Sequence, residues 1–200
     1  MELSLITLGH VHEQDLAALT PHFTRLEQLV LDINPRDALT KHRPEFNRAV
    51  DAATADWILI MREPERIDEN LAREIVSAAT AAKAWGFRAR TTPVYRGNPL
   101  RLPGGEGELR LFHKRHYLRF ANKGEWDQPS IQGTVVWLQN TFRAITFDSP
   151  QAHREYLAKS QKPHSSVKRA LVFARDVIAT RTTDANTLRY IWIEAGFERG

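Results

Sequence analysis

The chain predicts an α/β fold, a mainly parallel sheet flanked by helices, and three observations predict it. Strand and helix signals alternate, the early strands read as apolar runs, and the helices between them carry a single apolar stripe. Glu2–Leu8 (ELSLITL) is β-prone and stops at Gly9. Glu13–Phe23 has helical spacing at Leu16, Leu19 and Phe23, and Leu26–Leu31 reads as a second strand closed by Asp32 and Asn34-Pro35. Pro44–Thr54 places Phe46, Ala49, Val50 and Ala53 on one helical face. Trp57–Met61 (WILIM) is a strand buried on both sides, ended by charge and Pro64. Asp68 can cap a helix over Glu69–Trp85, which Gly86 ends. The order βαβαβα implies ligands at the carboxyl ends of the strands.

Beyond residue 86 the pattern changes. Phe87–Tyr95 and Leu109–Phe112, continuing toward Phe120, alternate apolar residues with Arg and Lys as half-exposed strands do. Gly97–Gly107 between them is loop by composition. Thr134–Trp137 and Ala144–Phe147 are apolar runs whose type the pattern leaves open. Ser149-Pro150 opens a helical tail, interrupted at Pro163, resumed over Ser165–Thr180, and capped again at Asp184 for a last helix. The expected organisation is a domain over 1–148 and a helical C-terminal extension over 149–200.

Composition narrows the function classes. The chain has 200 residues and no cysteine, which excludes disulfides, thiolate metal sites and cysteine nucleophiles. Its N-terminus has neither a basic n-region nor the apolar length of a signal peptide. No apolar run approaches the roughly 20 residues that span a bilayer. The expectation is a cytoplasmic protein. The net charge of +4 hides segmentation: residues 1–79 carry 8 basic and 14 acidic side chains, whereas residues 80–123 carry 10 and 2. A block that basic suits a polyanion, nucleic acid or anionic lipid, or else a solvated Arg-rich face.

The strand-end residues add a resemblance. Leu29-Val30-Leu31-Asp32 through Asp37, Phe46-Asn47-Arg48-Ala49 and Asp56-Trp57-Ile58-Leu59 stand in order. Gly86-Phe87, Tyr95-Arg96-Gly97 and Glu108-Leu109-Arg110-Leu111-Phe112 follow them. Over residues 3–160 this series resembles family 2 glycosyltransferases of GT-A type, especially the lipopolysaccharide-core glucosyltransferase-like group. The resemblance implies a GT-A-like, Rossmann-like mixed sheet that binds a nucleotide-sugar donor such as a UDP-sugar. It implies nucleotide contacts at Asp32, Asp37 and Asn47. It implies inversion, with Asp127 taking the acceptor proton. Arg110 of the basic block and Trp126, flanked by Glu125 and Asp127, are expected on the acceptor side.

One departure dominates. Where the family carries the DxD acids that hold Mn²⁺ or Mg²⁺, this chain reads Met61-Arg62-Glu63-Pro64-Glu65. An arginine repels a divalent cation, so no metal site is assigned, and Arg62 with Glu65 borders the diphosphate. Three readings follow. The chain is a degenerate, non-catalytic relative; or Arg62 and Arg110 offset the leaving diphosphate without metal; or Glu63 and Glu65 form a reduced metal site.

Other features read more plainly. His10-x-His12 lacks a third ligand, and His113 and His116 read as exposed basic-face residues. Trp137 reads as core, whereas Trp126, in a polar stretch, and Trp192 can stack on sugar or base. A basic stripe on Val167–Ile178 suits an anionic membrane surface, so peripheral association with the inner membrane and a saccharide or lipid-linked acceptor fit the resemblance. The rival class is a non-catalytic module for polyanions. Nucleic acid is disfavoured, since no zinc-finger spacing, RNP motif or recognition helix is present.

Overall fold

The computed structural model describes residues 1–11, 13–34, 39–81, 83–100, 107–119, 129–147, 151 and 184–194. The chain forms two compact units, residues 1–91 with 106–142, and residues 92–105 with 143–200. In chain order the first elements are β1 (Glu2–Leu8), α1 (Glu13–Leu16), β2 (Arg25–Leu31), α2 (Arg43–Ala52), β3 (Trp57–Arg62), β4 (Glu65–Arg66) and α3 (Glu69–Ala81). Then come β5 (Gly86–Ala89), β6 (Thr91–Tyr95), β7 (Asn98–Pro99), β8 (Glu108–His113), β9 (Tyr117–Leu118) and β10 (Ser130–Ile131). The last are β11 (Val135–Trp137), β12 (Phe142–Phe147) and a helix Ala185–Glu194, here α4.

A six-stranded sheet in the order β11-β5-β8-β3-β1-β2 forms the first unit. β2, β1 and β3 run parallel, as do β5 and β11, but β8 is antiparallel to both neighbours. The sheet is therefore mixed α/β. Both faces are covered, which explains the unbroken apolar runs of β1 and β3. Leu3, Leu5, Trp57, Leu59 and Met61 pack with Leu71, Ile75 and Ala79 of α3, together with Leu19 and Phe23. Ile6, Leu8, Ile58 and Ile60 pack with Phe46, Ala49 and Val50 of α2 on the other face.

At the amino edge a polar staple closes this layer. Glu27 accepts hydrogen bonds from the Ser4 hydroxyl and from the Thr54 backbone N–H (2.8 Å) and hydroxyl (3.0 Å), while Ala55 N–H donates to Ser4 Oγ (3.0 Å). Burial pushes the Glu27 carboxyl up, but these hydrogen bonds outweigh it and hold it below its ordinary value.

Several local expectations change. The helix expected over 13–23 stops at Leu16, and Thr20–His22 forms a 3₁₀ turn containing Pro21, which has no N–H to extend a helix. The strand expected over 87–95 divides at Arg90 into β5 and β6. Asp68 does cap α3, its Oδ1 accepting from Leu71 N–H at 3.0 Å, and Asp184 caps α4 through Thr187 N–H at 2.7 Å.

In the second unit β6 and β7 form a hairpin pairing Val94 with Pro99 and Tyr95 with Asn98. Its two-residue turn, Arg96-Gly97, has φ of 53° and 77°, the double left-handed geometry that suits strand twist. Tyr95, Leu100 and Ile193 form a small buried cluster with Tyr190 of α4. No helix among the described residues is long and apolar enough to cross a membrane.

Candidate functional site

The chain leaves β1 to pair β2 on one side, then returns to place β3 on the other. The crevice outside the carboxyl ends of β1 and β3 is therefore the topological switch point, where open α/β sheets bind ligands. Three strand ends are laced together there. Gly9, at φ 81°, donates its N–H to Leu31 O (3.0 Å), and Glu63 N–H donates to Leu8 O (2.9 Å). The exposed Glu63 carboxylate accepts from His10 N–H at 3.1 Å.

Asp32 follows β2 directly and is exposed. It rims an open groove of about 350 Å³ between β2 and α2, floored by Leu29, Leu31, Ile33 and Ala49 and bordered by Glu45 and Arg48. Asn47 lies on α2 outside the groove lining, its carboxamide oxygen accepting the Tyr117 hydroxyl at 2.6 Å. Asp37, Trp126 and Asp127 lie outside the described residues, as do His12 and the tail helices expected before Asp184.

At the end of β3 the antiparallel β8 brings in partners that no local pattern announces. Arg62 donates from Nε and Nη2 to the two carboxylate oxygens of Glu108, at 3.2 and 3.3 Å. Arg110 donates from Nη1 and Nη2 to Glu65, at 2.9 and 2.8 Å, and from Nη2 to the Thr91 hydroxyl at 3.0 Å. Glu65 also accepts from Arg62 N–H (2.8 Å) and from Thr91 Oγ1 (2.9 Å), and Glu108 lies 3.3 Å from Arg110 Nη2. The Arg110 guanidinium sits 5.0 Å from the centre of the Phe142 ring. Two guanidinium groups thus meet two carboxylates.

The burial is unequal. Arg110 and Glu65 are each 3% exposed, whereas Arg62 is 14% and Glu108 36% exposed. Arg110, expected on an acceptor side, therefore has its guanidinium inside the first unit. Glu65 turns inward to Arg110 and Glu63 outward to His10, so these two carboxylates do not converge. Among the described residues no three His, Asp or Glu side chains come together to hold a metal ion. Arg62, Glu63 and Glu65 as arranged here do not fit a divalent cation.

Other side chains of the basic block also have partners within the chain, several of them at the surface. Lys114 Nζ caps the end of α2, donating to Asp51 O (3.0 Å) and Ala53 O (2.6 Å). Arg115 pairs with Asp56, Arg119 with Asp51, and Arg90 lies over the Trp137 ring. Trp137 is 45% exposed on the edge strand β11, not in the core as its apolar run suggested. His113 and His116 form a ring cluster with Trp57 and Trp85, His116 stacking on Trp85 at 4.1 Å. Burial there lowers the His113 pKa despite the nearby Asp56 carboxylate.

Sequence reasoning missed Glu108 and Thr91. One signal was present: Glu108 is one of only two acids among the 10 bases of residues 80–123, and an isolated acid in such a block is a natural internal counter-ion.

No family model matches the chain, and no curated protein matches it. Among solved structures it is similar to the crystal structure of S. aureus TarS 1-349, at 11% identity and a TM-score of 0.37, covering 98% of this chain and 79% of that chain. At that degree of likeness, function has to be argued from this chain's own residues.

Proposed function

We propose that this chain is a glycosyltransferase-like domain that binds the nucleotide of a nucleotide-sugar donor at the carboxyl edge of β1, β2 and β3, without a divalent cation. The observation that carries this reading is the ion-pair network of Arg62, Glu108, Arg110 and Glu65 at the position where the resembled family places its metal acids. Asp32 supports it by ending β2 on an apolar groove, where a carboxylate can accept hydrogen bonds from ribose or base. Asp37 and Asn47 are the further nucleotide contacts of this reading, and Trp126 borders the acceptor, a saccharide or lipid-linked saccharide approached from the membrane surface.

The transfer step follows from inversion. The acceptor hydroxyl attacks the anomeric carbon, its proton passes to Asp127, and the bond to the diphosphate breaks with its electron pair leaving on the diphosphate oxygen. One observation favours a catalytically degenerate relative instead. Arg62 and Arg110 each already face a carboxylate, whereas a departing diphosphate calls for uncompensated positive charge. A non-catalytic polyanion module is less well supported, because Arg110 is buried against Glu65 and Lys114 is held at the end of α2.

Calorimetry with UDP-, GDP- and CDP-sugars, each in Mn²⁺ and in EDTA, tests the reading. The expected result is selective binding to one base, unchanged by EDTA, and weakened about tenfold, roughly 1.4 kcal/mol, by Asp32→Asn. Binding that requires Mn²⁺, or that shows no base preference and falls steeply with salt, would overturn it. Release of free nucleoside diphosphate with an acceptor present separates an active transferase from a degenerate one.

A further inference from the structure

We infer that Glu108 is an exchangeable stand-in for phosphate: it occupies the Arg62 guanidinium in the free protein and is displaced when the donor's diphosphate binds. This rests on the nucleotide-binding reading above and names how that site admits its anion. The two ion pairs of the network are chemically alike but differently held. Glu65 is 3% exposed and accepts from both Arg110 terminal nitrogens, Arg62 N–H and the Thr91 hydroxyl. Opening that pair strands a buried cation, so it stays closed.

Glu108 is different. It is 36% exposed, its contacts to Arg62 are 3.2 and 3.3 Å, and its contact to Arg110 duplicates a charge that Glu65 already neutralises. Water can replace Arg62 around a carboxylate that exposed, which makes Glu108 the displaceable member. The geometry of the pair matches the exchange. Arg62 presents Nε and Nη2 side by side to two oxygens, the fork that a phosphate takes equally well. Arg62 also ends β3, facing Leu8 in register at the end of β1, and therefore lies at the switch point. Displacing Glu108 removes one negative charge from beside Arg62, which favours an incoming anion.

A competing carboxylate penalises phosphate groups and leaves the nucleoside alone. This separates the proposal from a structural role, which would weaken every ligand together. The test measures binding of a nucleoside, its diphosphate and inorganic pyrophosphate to wild type, Glu108→Gln and Arg62→Met, with thermal melting to establish that each variant is folded. Glu108→Gln should bind diphosphate and pyrophosphate about tenfold more tightly and the nucleoside equally well. Arg62→Met should bring the diphosphate close to the nucleoside's affinity. An unchanged ratio of diphosphate to nucleoside affinity in Glu108→Gln overturns the exchange and leaves the nucleotide-binding reading standing. Absence of binding by any nucleoside or nucleotide to wild type and Glu108→Gln alike overturns that reading first.

Discussion

Replacing Glu65 by leucine would remove the carboxylate on which four donors converge: two from Arg110, one from the backbone of Arg62 and one from Thr91. Leucine fills a similar volume, so the cost is electrostatic. It strands the Arg110 guanidinium at 3% exposure. Breaking one side of a buried pair costs about 3–5 kcal/mol. Glu108, 3.3 Å from Arg110 Nη2, offsets part of this and places the expected loss near the lower end, about 3 kcal/mol. For a chain of this size that lowers the melting temperature by roughly 6–12 °C.

The control is the double variant Glu65→Leu/Arg110→Met, which removes both charges. It should be more stable than Glu65→Leu alone, with a coupling of about 2–3 kcal/mol. Circular dichroism melts and urea titrations of the wild type, both singles and the double measure this. A drop below about 2 °C in Glu65→Leu, or strict additivity of the singles, would show that the inner pair is not what holds this end of β3 and β8.

Two further perturbations address other parts of the fold. Glu27 sits below its ordinary value of 4.5, so its contribution to stability is present above that pH and is lost as pH falls through the lowered folded value. Glu27→Gln should cost about 1–2 kcal/mol at neutral pH and flatten the acid limb of melting temperature against pH; parallel curves for the two proteins would refute the staple. Lys114→Met removes the cation that caps α2, a helix with no basic residue in its own last turn. It should cost about 1 kcal/mol and speed amide exchange in that turn, and a variant with wild-type exchange would deny the cap.

The parallel core was legible because its signals are local. β1 and β3 are apolar runs sandwiched by helices, α2 and α3 show their stripes at helical spacing, and the caps at Asp68 and Asp184 precede their helices directly. Pro21 was legible too, but the apolar spacing of Leu16, Leu19 and Phe23 pointed to a longer helix than proline permits. The division at Arg90 and the exposure of Trp137 were not legible. Both depend on which strand lies alongside, and a three-residue edge strand offers no periodicity to read.

The alternation of strands and helices, the acid that follows β2 at Asp32, and an arginine where the resembled family holds metal-binding acids are all written in short stretches of the chain. Which carboxylate that arginine meets is a matter of the fold. Arg62 and Glu108 are 46 positions apart and Glu65 and Arg110 are 45 apart, and these pairs meet because β8 runs antiparallel between β3 and β5. Strand direction is set by nonlocal hydrogen bonding and by which faces must be covered, neither of which is written in any short stretch of the chain. The charge of Arg62 was visible from the start; its neutralisation depended on the neighbour the sheet supplied.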